Sequence, residues 1–248
     1  MTWRTVRLLA AKDLRIEWRS RVALAQVLPF AVVTLTLFAF ALDPASGLLR
    51  PSTPGLYWVT ILLVLVLAAQ RSFAVETADD ALDALRLSGL PPTGIFLGKG
   101  LALAVQLWVI EAVLAVGVIV LYDPTGKHAS ATVAGVVAEP PFSWTVGRVV
   151  LLVIAAGAAT PGLAAVGTLH GALAAGSRAR DTLLPLLVLP IVVPALLGGV
   201  RTFEAALALG QRTTSEGWPW VGLLAAFSLV AVTVATVAFG PLIEEDPT

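Results

Sequence analysis

Six apolar runs, each close to the length needed to cross a bilayer, constrain this chain more than any other feature of its sequence. A bilayer core of about 30 Å takes roughly 20 consecutive apolar residues as a helix. The sequence offers such runs at about Val22–Leu42, Gly55–Ala69, Leu101–Leu121, Val146–Ala175, Thr182–Val200 and Pro219–Phe239. Prolines at positions 29, 161, 185, 190 and 194 fall inside them. Membrane helices tolerate such prolines because neighbouring helices and local hydroxyls satisfy the freed backbone groups. Only 13% of the 248 residues are charged, against about 25% in soluble domains, and the mean hydropathy is +0.90. The expected fold is an all-α integral membrane protein, a six-span helical bundle.

The polar intervals carry the rest of the information. Residues 1–21 hold Arg4, Arg7, Lys12, Arg15, Arg19 and Arg21, with Trp3, Val6 and Ala10 along another side, and Asp13 and Glu17 interrupting that apolar side. This pattern predicts an amphipathic helix lying on the membrane surface. A cleaved signal peptide is the competing reading, opposed by the acids in its leading region. Residues 22–248 form the six-span transmembrane domain, with Tyr57 and Trp58 expected as interface anchors at the start of span two.

The interval from Arg71 to Lys99 is not a slack loop. Glu76, Asp79, Asp80 and Asp83 recur at i, i+3, i+4 and i+7, so four carboxylates share one helical face. Ala78, Ala81, Leu82 and Leu85 make the other face apolar, and Arg86 stands three residues after Asp83. Ser88-Gly89 supplies a stop and Pro91-Pro92 forbids continuation. The spacing predicts a two-faced helix over about 76–90, whose candidate partner-facing residues include Leu87 and Leu90 as well. A carboxylate stripe suits a protein partner better than an anionic leaflet. Two further polar intervals, 122–145 and 201–218, lack periodicity, and the tail 241–248 is acidic.

Eleven Lys/Arg fall on the side of the N-terminal segment, the acidic interval and the turn 176–181, against five on the other. The positive-inside rule therefore predicts both termini and the acidic helix in the cytoplasm, with 122–145 extracytoplasmic. Net charge is zero and cysteine is absent, which removes any global field for nucleic acid, any disulfide and any thiolate chemistry. Two histidines without helical pairing make no metal cluster. Gly94-Ile-Phe-Leu-Gly98-Lys99-Gly100 fails as a phosphate loop, because that motif needs four residues between its glycines and Ser or Thr after the lysine.

Within the spans, Glu111 stands out, since an intramembrane carboxylate points to function by default. A transport role competes with a neutral group hydrogen-bonded between helices. His170 lies between Gly167 and Gly171, whose spacing lets another helix approach. A lone imidazole without a second ligand is a weak porphyrin site, so no stably bound cofactor is expected. Arg201 and Glu204, three apart, are expected to pair structurally.

The block 160–210 carries Thr160-Pro161-Gly162, Gly167-Thr168-Leu169, Arg178-Ala-Arg180-Asp181, repeated Leu-Pro, and Gly199-Val-Arg201 followed by Glu204-Ala-Ala. It resembles the heme exporter protein B family, the permease subunits of an ABC transporter used in cytochrome c maturation. Residues 82–99, LDALRLSGLPPTGIFLGK, also resemble the family's first cytoplasmic loop. Two departures are a longer 122–145 interval and His170 at a place where an apolar residue is expected. The resemblance implies an ABC-2 type permease of the bacterial inner membrane, itself non-catalytic, with ATP hydrolysed by a separate ATP-binding subunit. It also implies other cytochrome c maturation membrane proteins and a periplasmic heme chaperone as partners, with heme as a transported or handed-over substrate. On the residues alone, an ABC-2 permease for a lipid, drug or glycan stays open. So do a proton-coupled transporter built on Glu111 and a structural scaffold.

Overall fold

The computed structural model describes residues 3–20, 22–42, 47–78, 89–122, 143–175 and 184–244. All regular structure among them is helical: α1 (Trp3–Ser20), α2 (Val22–Ala41), α3 (Leu49–Ala78), α4 (Pro92–Leu121), α5 (Val146–Ala175), α6 (Leu184–Ala206) and α7 (Trp218–Glu244). Two short 3₁₀ turns, Leu209–Gln211 and Thr214–Gly217, join α6 to α7. Five stretches are long and apolar enough to cross a membrane: Leu49–Gln70, Pro92–Leu121, Val146–Leu173, Val188–Ala206 and Thr214–Pro241. The shorter apolar stretch Ala25–Ala41 lies within α2.

α5 is the hub of the bundle, packing on α3, α4, α6 and α7, while α2 sits against α3 and α4. The reason is its succession of small residues. Ala155, Ala159, Ala164 and Gly167 put little between the backbones, so neighbours approach closely, as membrane helix interfaces favour. A Cβ on Gly167 would lie 2.7 Å from Leu65 of α3, and Gly171 is also buried. Proline 161 removes one rung of the α5 ladder. The neighbouring rung is shared with α7: the Ser228 hydroxyl accepts from the Gly162 N–H at 3.0 Å and donates to the Ala158 carbonyl. Those two backbone groups are the ones an unbroken helix would pair, so a side chain from another span is inserted at the proline kink.

Several boundaries differ from the sequence expectation. Span two was expected over 55–69, but α3 starts at Leu49 and runs unbroken to Ala78. Pro51 falls in its first turn, where the missing N–H costs nothing. Glu76 therefore belongs to the same helix as span two and does not open a new one. Residues 79–88, which carry Asp79, Asp80, Leu82, Asp83, Leu85, Arg86 and Leu87, lie outside the described residues, as do 123–142, 176–183 and 245–248. On their far side Gly89 takes φ +67°, and Pro91 and Pro92 open α4. Span five was expected to end at Val200, yet α6 continues to Ala206, because Phe203, Ala205 and Ala206 are core residues.

Tyr57 and Trp58 are not interface anchors. Both are buried, and both rings pack on Phe203 of α6, at centroid distances of 4.7 Å and 5.6 Å. The space for the indole comes from Gly199, where an added Cβ would meet the ring at 2.1 Å. Gly199 on one helix and the Tyr-Trp pair on another are thus two halves of one packing unit, while Gly198 makes room for Leu224 of α7.

Candidate functional site

Two buried polar centres lie in this frame, one in the middle of the bundle and one at the end that carries α1. In the middle, Glu111 of α4 is 3% exposed. Thr160, immediately before the proline kink of α5, places its Oγ1 2.8 Å and 3.0 Å from the two carboxyl oxygens and 2.7 Å from the Ala156 carbonyl. Tyr57 donates its hydroxyl to the Glu111 backbone carbonyl at 3.1 Å. Three helices, α3, α4 and α5, therefore converge on one residue. Among the described residues the carboxyl group meets the Thr160 hydroxyl, and the backbone carbonyl of the same residue meets the Tyr57 hydroxyl. The site borders a cavity of about 400 Å³ walled by Trp108, Trp144, Phe203, Val118 and Leu152, with Glu111 as its main polar element.

At the other end, Lys99 of α4 is 4% exposed and its ammonium lies 3.6 Å from the Asp13 carboxylate of α1. Asp13 is the acid that interrupts the apolar side of the N-terminal helix, and that side faces inward: Val6 and Ala10 are buried. α1 packs directly on the α4 backbone at Gly98, where a Cβ would meet Leu9 at 2.7 Å. The helix is thus not simply laid on a surface but seated against span three. Its outer face keeps Arg4, Arg7, Lys12, Arg15 and Arg19 exposed, with Trp3 and Trp18 among them. Below the seat, Ile95, Phe96, Ala165, Ala235 and Phe239 form a small separate core, with the rings of Phe96 and Phe239 at 5.2 Å. Leu90, expected on a partner-facing surface, packs half-buried on this core instead.

The remaining sequence candidates fall elsewhere. Arg201 and Glu204 lie 2.9 Å apart, and Arg212 adds a second contact to Glu204 at 3.4 Å, which ties the 3₁₀ connection back to the end of α6. His170 of α5 is buried, lines a second cavity, and its Nε2 has no hydrogen-bond partner. Gly94–Gly100 lies wholly within α4, so its amides are spent on helical pairing and form no phosphate cradle. Among the described residues no group of His, Cys, Asp or Glu could hold a metal ion. Sequence reasoning missed the Glu111–Thr160 contact, the Ser228 bridge and the Asp13–Lys99 pair. The available signals were a hydroxyl at the kink, a lone serine in an apolar span, and an acid on an otherwise apolar helix face.

The family profile described as CcmB protein matches residues 4–245. The chain is 30% identical over 236 residues to heme exporter protein B of Paracoccus denitrificans (strain Pd 1222), covering 94% of this chain and 93% of that one. It is 29% identical over 238 residues to heme exporter protein B of Pseudomonas aeruginosa, covering 93% and 94%. It is 30% identical over 241 residues to that of Rhodobacter capsulatus, covering 95% and 94%. A match of this extent, through every described helix and both polar centres, makes the chain a member of the CcmB protein family.

Proposed function

We propose that this chain is the permease subunit of an ABC transporter for heme export in cytochrome c maturation, driven by ATP hydrolysis in a separate subunit. The observation that carries the reading is the end-to-end similarity to proteins named heme exporter protein B. The helical state of Gly94–Gly100, which rules it out as a phosphate loop, supports leaving the ATP chemistry to a partner. The remaining parts of the reading are the bacterial inner membrane, a coupling segment over 76–90 that continues from the end of α3 and docks to the ATP-binding subunit, and delivery of heme to, or release of, a periplasmic chaperone. Deleting the gene should abolish heme-stained c-type cytochromes, and a plasmid copy should restore them. A tagged chain should retrieve an ATP-binding subunit from native membranes. Unchanged c-type cytochromes on deletion would leave an ABC-2 permease for a lipid, drug or glycan as the better reading.

Glu111 decides between a coupled proton and a fixed hydrogen bond. One hydroxyl proton on Thr160 serves one acceptor at a time. A glutamine at 111 can donate its amide N–H to Oγ1 while Oγ1 donates to Ala156, which keeps a hydrogen bond between the two side chains and the one to the backbone. Glu111→Gln is therefore expected to keep cytochrome c output near that of the parent. Glu111→Ala should lower the stability of the detergent-solubilised chain by about 1–3 kcal/mol, because it removes a buried side chain and its contact with Thr160 while Thr160 keeps its bond to Ala156. Loss of output in a stable Glu111→Gln chain would favour the proton-coupled reading.

Topology gives a second test. With both termini cytoplasmic, a cysteine at Ser130 should react with an impermeant maleimide in intact cells, while one at Asp80 should not. The parent sequence has no cysteine, so labelling is clean. Reversed labelling would remove the cytoplasmic location of the 76–90 segment, and with it the coupling role.

A further inference from the structure

The second cavity, of about 430 Å³, lies between α5, α6 and α7. Its walls include Val166, Leu173, Val188, Phe227 and Ala235, and among the described residues its one polar member is His170. That imidazole is 4% exposed, and its Nε2 is buried without a hydrogen-bond partner. Buried polar side-chain atoms nearly always have a partner, so an exception calls for an explanation. Water is a poor one, since a buried water needs two to four polar partners and the described walls offer one. A metal ion is no better, with no second ligand among the described residues. The missing partner is a molecule that brings one polar atom on an apolar body.

The surroundings say where such a molecule comes from. Ile191, Val230 and Val234 also line the cavity, and they are more than half exposed on the outer faces of α6 and α7, the surface a bilayer covers. His170 stands five residues from the end of α5, about 8 Å along the axis, whereas Val166 lies a turn deeper. His170 therefore sits in the shallow half of the α5 wall, with only Leu173 beyond it and the apolar depth at Val166 toward the bilayer centre, which is the polarity of a lipid whose carbonyl lies just below the headgroups.

We propose that this cavity binds an acyl chain entering from the bilayer, with the carbonyl oxygen at the head of that chain accepting a hydrogen bond from His170 Nε2. A free fatty acid and a glycerophospholipid share that chemistry.

The test uses the full chain in lipid nanodiscs with three photoactivatable probes carrying a diazirine on the chain. They are a fatty acid, a phosphatidylcholine with the same acyl group, and a hexadecane without any carbonyl. Labelling by the carbonyl-bearing probes should concentrate on peptides covering 166–173, 188–191 and 227–235, above the exposed stretch 30–40 of α2, which lines neither cavity. The acid and the phospholipid arms identify the source. His170→Leu should reduce that labelling about two- to tenfold, the range one hydrogen bond supports, with 30–40 unchanged, and His170→Gln should retain it. If His170→Leu does not insert, competition by unlabelled palmitate or phospholipid on the parent chain decides, by clearing the same three peptides and sparing 30–40. Even labelling over the lipid-facing surface overturns the proposal, as does equal labelling by hexadecane or indifference to His170→Leu. A Soret band from the purified chain that vanishes on His170→Leu would make the occupant a porphyrin and overturn it too.

Discussion

Replacing Leu82 and Leu85 together by alanine is expected to release the ATP-binding subunit from solubilised complexes and to abolish cytochrome c maturation, while the chain stays inserted. The expectation rests on the two-faced pattern of 76–90. Exposed ion pairs contribute only about 0–1 kcal/mol each, so Glu76, Asp79, Asp80 and Asp83 steer a partner more than they hold it. Truncating a buried leucine costs about 2–5 kcal/mol in a packed core, and an anchor at the centre of an interface approaches that. Two such losses together exceed what most transient interfaces can spare. The comparison is Asp80→Asn, which should leave recruitment within a few-fold of the parent. Full recruitment and full maturation in the leucine double variant would reduce the segment to an interfacial anchor.

The second large effect is expected from Asp13→Ala. Removing one member of a buried ion pair costs about 3–5 kcal/mol, because the remaining charge stays in a poor solvent. Asp13 is 17% exposed and Lys99 4%, so the lower end applies. About 3 kcal/mol is roughly a hundredfold in the population of undocked α1. Trypsin reads this directly, since α1 carries Arg4, Arg7, Lys12, Arg15 and Arg19 on its outer face. Cleavage there should accelerate in Asp13→Ala and slow again in Asp13→Ala/Lys99→Met, where the buried ammonium is removed as well; Lys12, which also meets Asp13 at 3.4 Å, lies at the exposed side in both variants. Equal cleavage in the parent and in Asp13→Ala would show that Gly98 packing alone seats the helix.

Much of the bundle was legible in the sequence because apolar length is a one-dimensional property. A run such as Val146–Ala175 announces a spanning helix whatever surrounds it. Helix ends were less legible, for a physical reason. Arg201 and Glu204 read as the start of a loop because they are charged, yet they neutralise each other on a helix whose other face, Phe203 and Ala206, is core. Tyr57 and Trp58 read as interface anchors because aromatic residues near a span end usually are. Only the facing Gly199, 141 positions later in the chain, makes room for the indole in the interior. Contacts between distant helices, Thr160 with Glu111 or Ser228 with the kink, depend on which spans are neighbours, and no periodicity within one span encodes that. His170 was visible as a residue but not as a cavity wall, since its walls come from three helices.

The seat of α1 on α4 also sets an order on biosynthesis. Val6, Ala10 and Asp13 face residues near Gly98 and Lys99, which are made long after α1 itself. At about 5–20 residues per second, the ribosome needs roughly 4–16 s to travel from residue 20 to residue 99. For that interval the first helix has no protein surface to rest on. Its arginines and tryptophans, facing outward in the finished bundle, are then what holds it at the headgroups until span three arrives.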